Sequence, residues 1–334
     1  MRAEPKPSFA FLVLAFNHQN YILEHLESIK YLVQTHGTEW DVDLIVNDDF
    51  SRDQTCTLID RWLALNATMF RHVKTLYNSK NLGTCTSVNN MLCYMVADRC
   101  KLTAGDDVYS FENIFELTDH SPDTAMLAGR VLYLLGDELN VNRLNNTLAT
   151  ATQAIYQRDP LLHRFKHLSY NNAPNMLYAT ECLMNPKVRE FLQRFDVVED
   201  WPLQVAIARE YPMRRLTLID KVLVYYRRTP GSTYITANQR FMKDKLRLYT
   251  DLIQHETNSW ERLRLKSRRY GFKSQNRWVN KLLNLDWYLF LLASATRVSK
   301  LYPQGPNLKL LVKAHKQHYA EIRANVDALG GPQA

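Results

Sequence analysis

The sequence predicts an α/β fold in which a mostly parallel sheet is flanked by helices, followed by a helical, basic C-terminal extension. Short apolar segments alternate four times with segments of helical period between residues 9 and 103, as in parallel sheets with right-handed crossovers. The first segment, residues 9–15, is continuously apolar, which is typical of a strand buried on both faces. From residue 239 onward the chain has a helical pattern.

The first half contains four predicted strands. The strand at residues 9–15 leads into a helix, because Ile22, Leu26 and Val33 fall on one helical face before Gly37 ends it. The later elements, in chain order, are a strand at residues 42–46, a helix through Leu58, Ile59, Trp62 and Leu63, a weak strand at residues 72–76, a helix from Asn81 through Met95, and a strand at residues 101–103.

Every predicted strand of this half ends in polar residues, namely Asn17, Asp48 with Asp49, Asn81, and Asp106 with Asp107. In an α/β sheet this edge is where ligands bind. The adjacent carboxylates of Asp106 and Asp107 repel each other, and a hard divalent cation with its phosphates stabilises both. An isolated Gly-Asp-Asp is otherwise a turn with Asp107 as a helix N-cap. Together the strand ends fit a ligand with hydroxyls, an imide and a metal-bound diphosphate, which is a nucleotide sugar.

The composition and the absent motifs exclude several classes of protein. The chain of 334 residues is 46% hydrophobic, enough for a large core and two structural units. It lacks the glycine-rich loops of dinucleotide oxidoreductases and of P-loop enzymes. The five cysteines show no Cys-x-x-Cys spacing and no signal peptide precedes them, so reduced thiols in the cytoplasm are expected and disulfide and zinc interpretations are dropped. No uncharged apolar run reaches about 18 residues, the length of a spanning helix.

The second half is less patterned. Residues 127–135 are expected to form a pair of strands, and residues 136–175, rich in Asn, Thr and His, an irregular acceptor-side segment. Glu199 and Asp200 open a predicted helix, where acidic side chains also complement the helix dipole. A last strand is predicted at residues 221–226.

Positive charge is concentrated at the C-terminal end. Residues 238–334 contain 18 Lys or Arg and 7 Asp or Glu, a net charge of +11, whereas residues 1–237 carry −3. This asymmetry indicates a catalytic or binding domain followed by a basic segment that binds an anionic partner. The predicted domains are a catalytic domain at residues 1–237, with a nucleotide-binding half at about 8–110 and an acceptor half at about 111–237, and a helical extension at 238–334.

Within this extension, residues 278–292 are dense in Leu and aromatic residues but are interrupted by Lys281, Asn284 and Asp286. The segment is too polar to span a membrane and apolar enough to lie in its interface, with basic residues on both flanks. The alternative is a helical pair that caps the sheet or forms a dimer contact. The histidines His167, His315 and His318 show no ligand spacing and are expected on the solvated surface.

Residues 8–235 resemble the family-2 inverting glycosyltransferases of the GT-A fold, as found in bacterial polysaccharide synthesis. The resemblance rests on motifs in the family's order and spacing: Leu14-Ala15-Phe16-Asn17, Asp48-Asp49-Phe50-Ser51-Arg52-Asp53, Asn81-x-Gly83 with Asn89, Gly105-Asp106-Asp107, Glu199-Asp200, and Tyr226-Arg227-Arg228-x-x-x-Ser232.

The resemblance implies a nucleotide-diphosphate sugar donor, most simply a uridine diphosphate sugar, and Mn²⁺ or Mg²⁺ as cofactor. Phe16 and Asp49 would contact the base, with Asp49 accepting the imide hydrogen of uracil. Asp106 would face the ribose, Asp107 would bind the metal, and Asp200 would be the catalytic base. Asn17 and Asn81 complete the implied donor site.

The chain also departs from the family pattern. Phe16 and Asn17 are not preceded by the usual proline, Val88 stands where a basic residue is common, and Asp106-Asp107 lacks the leading Asp of Asp-x-Asp. The late motif has Thr229 where a His is usual. Arg227 and Arg228 are therefore the candidate phosphate ligands, with a structural ion pair as the alternative.

The predicted function is metal-dependent, inverting transfer of a sugar to a hydroxyl of a growing, lipid-linked surface polysaccharide. The basic extension fits a peripheral location on the inner face of a bacterial cytoplasmic membrane. The sequence is compatible with a homo-oligomer, and no nucleic-acid partner is expected. One alternative is a nucleotidyltransferase, whose Gly-rich basic loop is absent. A second alternative is a non-catalytic basic protein that binds membrane or nucleic acid, but such a protein would have no need of carboxylates at successive strand ends. A third is a glycosidase, which would have no need of the nucleotide site at Asp48 and Asp49.

Overall fold

The computed structural model describes residues 6–118, 121–229, 239–274, 278, 282–301 and 308–330. Its parallel sheet consists of β1 (Ser8–Ala15), β2 (Asp41–Asp48), β3 (His72–Tyr77) and β4 (Arg99–Ala104), in the order β3-β2-β1-β4. Between these strands run α1 (Ile22–His36), α2 (Thr55–Asn66) and α3 (Thr84–Leu92). The predicted fold class, a mixed α/β protein with a parallel sheet flanked by helices, is confirmed.

The further strands are β5 (Val108–Tyr109), β6 (Thr124–Ala128), β7 (Leu132–Leu135), β8 (Glu138–Asn140), β9 (Met176–Tyr178), β10 (Arg215–Leu218) and β11 (Val224–Arg227). The further helices are α4 (Ile114–Leu117), α5 (Arg143–Tyr156), α6 (Leu161–Lys166), α7 (Thr180–Met184), α8 (Pro186–Leu192), α9 (Asp200–Glu210), α10 (Gln239–Gln254), α11 (Ser259–Ser274), α12 (Leu285–Leu301) and α13 (Leu308–Ala328). Short 3-10 turns lie at Ala67–Met69 and Ala173–Asn175.

Strand β1 is buried on both faces, as its continuous apolar sequence predicts. Phe9 and Phe11 pack with α1 and α2 in one hydrophobic cluster. Ala10 and Leu12 point to the other face and join a second cluster with α3 and α9. Successive residues of a strand alternate between faces, so a fully apolar strand is what a sheet covered by helices on both sides requires.

Residues 127–135 contribute to two strands, as predicted, but these strands do not pair with each other. Strand β6 pairs with β9 and β10, whereas β7 pairs with β8 and β11 in a different sheet. Between them, Gly129 N donates to Asn175 O and Arg130 N donates to Lys221 O, at 2.8 and 2.7 Å. The chain therefore crosses from one sheet to the next because its backbone groups bond to distant segments.

The prediction of an irregular segment at residues 136–175 is wrong, since this segment contains helices α5 and α6. Helix α5 begins where the Asn142 side chain accepts a hydrogen bond from Asn145 N at 3.0 Å. The polar Asn146 side chain is buried and bonds both backbone groups of Val131. The polar composition that indicated a loop thus provides a helix cap and buried hydrogen bonds.

The C-terminal helices pack on the body of the protein. Leu248 and Leu252 of α10 and Leu265 of α11 are buried in the same hydrophobic cluster as α3 and α9. Helix α13 packs against α1, and Tyr319 Oη donates to Glu24 Oε2 at 2.9 Å. The predicted boundary at residue 237 therefore does not separate two hydrophobic cores.

The histidines expected on the surface are buried. His167, His315 and His318 are 2%, 0% and 4% exposed. His315 Nδ1 lies 2.8 Å from Tyr225 Oη, and His318 Nε2 lies 3.2 Å from Tyr109 O. Partners far away in the sequence bury these imidazoles, so the spacing of the histidines carries no signal of their burial. None of the helices in the described ranges has the length and apolar character needed to span a bilayer.

Candidate active site

The carboxyl ends of β1, β2 and β4 lie side by side at one edge of the parallel sheet. Ala15 is in register with Asp48, and Leu14 with Ala104. Asp49 N donates to Ala15 O at 2.8 Å, and the amide of Gly105 donates to the carbonyl of Leu14 at 2.7 Å. This register brings together the loops that contain Asn17, Asp49, Asp106 and Asp107, as the sequence predicts.

Asn17 links the loop after β1 to the loop after β2. Its backbone N–H donates to Ser51 Oγ at 2.7 Å, and its side-chain Oδ1 accepts from Arg52 N at 2.9 Å. The φ of Asn17 is 55°, a left-handed conformation that Asn tolerates better than most residues. The neighbouring Phe16 is 44% exposed. The loop is thus fixed by internal hydrogen bonds while one aromatic ring remains accessible.

Asp49 is buried and organises the start of α3. Its Oδ1 accepts from Leu82 N at 2.7 Å and from Asn78 Nδ2 at 2.9 Å, and its Oδ2 accepts from Gly83 N at 2.9 Å. Asn81 Nδ2 donates to Asp49 O at 3.3 Å. The structure therefore brings the two predicted donor-site residues Asp49 and Asn81 into contact.

Gly83 provides a test of this arrangement. Its φ is +86°, and an added Cβ would lie 2.1 Å from Asp196 Oδ1 and 2.6 Å from Asp196 O. Gly83→Ala is therefore expected to lower the free energy of unfolding by about 1–3 kcal/mol, measured by urea denaturation. Gly136→Ala is the matched control, since Gly136 has φ +57° with nothing within 4 Å of an added Cβ. Equal losses of unfolding free energy in both variants would show that the contact of the added Cβ with Asp196 does not destabilise the protein.

The acid pair after β4 consists of one buried and one more exposed carboxylate. Asp107 is 2% exposed, and its Oδ1 accepts from Arg227 N at 2.9 Å. Burial, together with the charge of Asp106, raises the pKa of Asp107 well above its usual range. The Asp106 carboxylate is 18% exposed and lies 3.9 Å from His18 Nε2. The predicted metal ligand is thus the deeper residue of the pair.

These side chains fit a divalent cation. Carboxylate oxygens are the ligands that hard cations prefer, and a cation beside Asp106 and Asp107 would stabilise the ionised form of both. The buried Nδ1 atom of His18 has no hydrogen-bond partner among the described residues. His18 carries no signal in the sequence, because a histidine in a polar loop has no distinctive pattern. The candidate metal residues are therefore Asp106 and Asp107, and His18 Nε2 lies beside them, 3.9 Å from Asp106.

Arg227 has the contacts of a structural ion pair. It is 4% exposed, its Nε donates to Asp106 O at 2.7 Å, and its guanidinium pairs with the Glu24 carboxylate. These bonds support a structural ion pair as the role of Arg227, the alternative that the sequence left open beside a phosphate contact. Arg228 is exposed, with its guanidinium 4.0 Å from the centre of the Tyr133 ring.

Glu199 and Asp200 lie at the start of α9, as predicted. Asp200 is the first helical residue, and its Oδ1 accepts from Trp201 N at 2.7 Å. Burial, together with the charge of Asp200, raises the pKa of Glu199 to about 8. At neutral pH Glu199 is therefore mainly protonated.

Helix α10 fixes the segment that precedes these two acids. Asp244 is 3% exposed, and its Oδ2 accepts from the backbone N–H groups of Asp196, Val197 and Val198 at 2.9, 2.7 and 3.1 Å. Bonds from several N–H groups to one carboxylate are among the stronger hydrogen bonds in proteins. Asp244 carries no signal in the sequence, because its partners lie in a separate part of the chain.

Arg240 connects α10 to the loop that precedes α3. Its guanidinium pairs with the Asp196 carboxylate at 2.5 Å and donates to Asn81 Oδ1. Asp196 in turn accepts from Cys85 N through its carbonyl at 3.0 Å. The loop before Asp200, the start of α3 and helix α10 therefore form one hydrogen-bonded unit at the edge of the sheet.

Comparison with known proteins gives matches among solved structures. No protein-family model and no curated protein sequence matches the chain. S. aureus TarS superimposes with a TM-score of 0.54 and 16% identity over 94% of this chain, which spans 54% of that TarS chain. S. aureus TarS 1–349 in complex with UDP-GlcNAc gives a TM-score of 0.56 and 15% identity, over 98% of this chain and 93% of that one.

An archaeal enzyme shows the same likeness. The mannosyltransferase PcManGT from Pyrobaculum calidifontis, in complex with GDP-Man and Mn²⁺, gives a TM-score of 0.55 and 15% identity, over 96% of this chain and 86% of that one. Identities this low establish the fold alone. The chain therefore has the GT-A-like fold found in these nucleotide-sugar glycosyltransferases.

Proposed function

We propose that this protein is a metal-dependent, inverting glycosyltransferase of the family-2 type. It transfers a sugar from a nucleotide diphosphate to a hydroxyl of a growing glycan. The observation that carries the proposal is the meeting of the Asp106–Asp107 pair and the Asp49 loop at one edge of a GT-A-like sheet. The complexes of the neighbouring structures with UDP-GlcNAc and with GDP-Man and Mn²⁺ support a nucleotide-sugar donor.

The donor site lies on the loops after β1 and β2. The exposed ring of Phe16 is available to stack on the base. Asp49 is proposed to accept the imide hydrogen of the base, with its carboxylate oriented by the bonds that it accepts from Leu82 N and Gly83 N. Asn17 and Asn81 keep these loops in position. A rigid site reduces the entropy lost when a flexible nucleotide binds.

The acid pair would bind the diphosphate through a divalent metal ion. Asp107 and Asp106 are the residues that would hold Mn²⁺ or Mg²⁺, and the ion would stabilise the negative charge of the departing diphosphate. Arg228 is the remaining candidate for a direct phosphate contact. Arg227 contributes by holding β11 against the acid pair through its backbone bond to Asp107.

Asp200 acts as the general base. It accepts the proton of the acceptor hydroxyl while that oxygen attacks the anomeric carbon, and the bond from the sugar to the diphosphate breaks on the opposite side. The configuration of the sugar is thereby inverted. Because Glu199 is mainly protonated at neutral pH, Asp200 is the member of the pair that is suited to receive the proton.

A panel of nucleotide sugars tests the proposed function. Uridine diphosphate sugars are expected to raise the midpoint of thermal unfolding, and to be hydrolysed slowly, only when Mn²⁺ or Mg²⁺ is present. NMR of the product made with a simple acceptor should show the inverted anomer. A panel in which no nucleotide sugar stabilises the protein would contradict the proposal, and a retained anomer would contradict the inverting mechanism.

The acceptor is proposed to be a lipid-linked glycan at the inner face of a bacterial cytoplasmic membrane. One face of α11 mixes exposed apolar and basic side chains, since Leu263, Lys266, Tyr270 and Lys273 recur at helical spacing. Leu291 and Leu292 of α12 are exposed as well, at 41% and 68%. Apolar side chains beside Lys residues are suited to the interface of an anionic bilayer.

Leu292→Glu tests this location. The variant is expected to lose most of its binding to vesicles of anionic lipid, because a carboxylate replaces an exposed apolar side chain and is repelled by the anionic surface. Leu65→Glu is the control, since Leu65 in α2 is equally exposed, at 70%. Trp287 of the same helix is half-buried, so a charge there would also disturb packing, and Trp287→Glu is a less suitable test. If the unaltered protein ignores anionic vesicles at low salt, or if Leu292→Glu splits a dimer, the surface is a packing interface.

A further inference from the structure

A cluster of metal-ligating side chains lies between α6 and α11. His163 belongs to α6, His167 directly follows it, and Glu261 lies in the first turn of α11. Ligand atoms from these three residues all lie within 4.8 Å of one another. Two histidines spaced four residues apart present their rings on the same side of a helix. None of the three belongs to the proposed donor or acceptor site.

The orientation of His167 suits a metal ligand. Its ring is 2% exposed, and its Nδ1 lies 3.1 Å from Asp286 Oδ2. Its Nε2 lies in an ion pair with the Glu261 carboxylate, so a bound metal would take the place of this direct contact. A ligating histidine almost always donates its second N–H to a carboxylate or carbonyl, which leaves the other nitrogen free for the metal. Asp286 has that orienting role here.

The charges around the cluster allow a cation. Asp286 pairs with Arg264 Nε at 2.6 Å and Arg268 Nη1 at 3.2 Å, and Arg264 Nη1 also lies 3.0 Å from Glu261 Oε1. A third carboxylate, Asp159, lies 3.9 Å from His163 Nε2. With neutral histidines the three carboxylates exceed the two guanidinium groups by one negative charge, so a divalent ion leaves the cluster with only one positive charge.

We propose that His163, His167 and Glu261 bind a Zn²⁺ ion that links α6 to α11. Zinc bonds of about 2.0–2.2 Å in a tetrahedral site hold ligand atoms roughly 3.4 Å apart, so the ligands need shifts of about 1 Å. His163 and Glu261 are 37% and 18% exposed in their side chains and can supply this shift. Three protein ligands leave the fourth tetrahedral position to a water molecule.

Such an ion also supports the start of α9. Trp201 Nε1 donates to Phe165 O at 2.8 Å, in the turn of α6 between the two histidine ligands. The zinc link therefore joins the C-terminal helices to the segment that follows Asp200. Its expected effect is on the stability of this packing, since no ligand faces the proposed substrates.

Zinc titration of the full chain tests the site. The protein is stripped with chelator and titrated with Zn²⁺ in the Asp107→Asn background, which separates this site from the proposed catalytic metal. We expect one Zn²⁺ per chain, a higher midpoint of thermal unfolding, and Co²⁺ substitution with the visible absorption of a tetrahedral site with nitrogen ligands. His163→Ala and Glu261→Gln should each lose measurable binding.

His255→Ala is the matched control, because His255 is an exposed histidine just after α10 and outside the cluster; the variant should bind Zn²⁺ normally. Both ligand variants should keep their circular dichroism spectrum, since His163 and Glu261 are partly exposed. The proposal is overturned if the chain binds no Zn²⁺, or if both variants bind it unchanged. It is also overturned if NMR in the presence of Zn²⁺ shows His167 doubly protonated between Asp286 and Glu261.

Discussion

Asp200→Asn is expected to lower turnover by about 10²- to 10⁴-fold, the usual contribution of a general base, with nucleotide binding nearly unchanged. The amide has the shape of the carboxylate but cannot take the proton of the acceptor hydroxyl. Local structure should persist, because Asp200 Oδ1 accepts from Trp201 N at 2.7 Å and an amide oxygen can accept the same bond. Turnover with a defined acceptor and calorimetry with uridine diphosphate measure the two effects separately.

Glu199→Gln is the matched control for this prediction. Since the pKa of Glu199 is raised to about 8, this side chain is mainly neutral at pH 7, and glutamine is its close neutral analogue. Near-normal turnover is therefore expected at neutral pH. Near-normal turnover of Asp200→Asn, with a large loss for Glu199→Gln, would make Asp200 a helix-capping acid and Glu199 the base.

The sequence predicts the nucleotide-binding half well because the determinants there are local. A strand buried on both faces must be apolar at every position, as residues 9–15 are, and its helix must repeat its apolar side with a helical period. Polar residues directly after each strand identify the functional edge, because parallel strands end at the same side of the sheet. The positions of Asn17, Asp49 and Asp106 therefore follow from the order of elements alone.

The remaining features depend on contacts between distant segments. Strands β6 and β7 are adjacent in the chain but join different sheets, because Gly129 and Arg130 bond to residues far along the sequence. Asp244 appears as one acid in a basic helix, and only the folded chain brings it to three backbone N–H groups. The zinc interpretation was dropped on cysteine spacing, whereas the candidate ligands are histidine and glutamate.

Asp107→Asn is expected to weaken Mn²⁺-dependent binding of uridine diphosphate by at least about 10- to 100-fold, the loss caused by removing even an outer-shell partner of a metal. The change removes a hard anionic oxygen ligand. The contact with β11 should persist, because Asp107 Oδ1 accepts from Arg227 N at 2.9 Å and an asparagine Oδ1 can do the same. Calorimetry with Mn²⁺, and with chelator in its place, measures the effect.

Stability in chelator distinguishes the metal role from a structural one. Burial and the charge of Asp106 raise the pKa of Asp107, so at pH 7 the folded state disfavours its ionised form more than the unfolded state does. Replacing it by neutral asparagine should therefore leave the midpoint of thermal unfolding unchanged or raise it.

Lys101 is buried nearby, and its pKa is lowered to about 7, chiefly by burial, while the charge of Asp107 favours its protonated form. If Asp107 serves only to stabilise protonated Lys101, the variant will unfold at lower temperature and bind the nucleotide with undiminished metal dependence. Asp106→Asn is the neighbouring comparison, since a strong loss for that variant alone would assign the metal to the more exposed carboxylate.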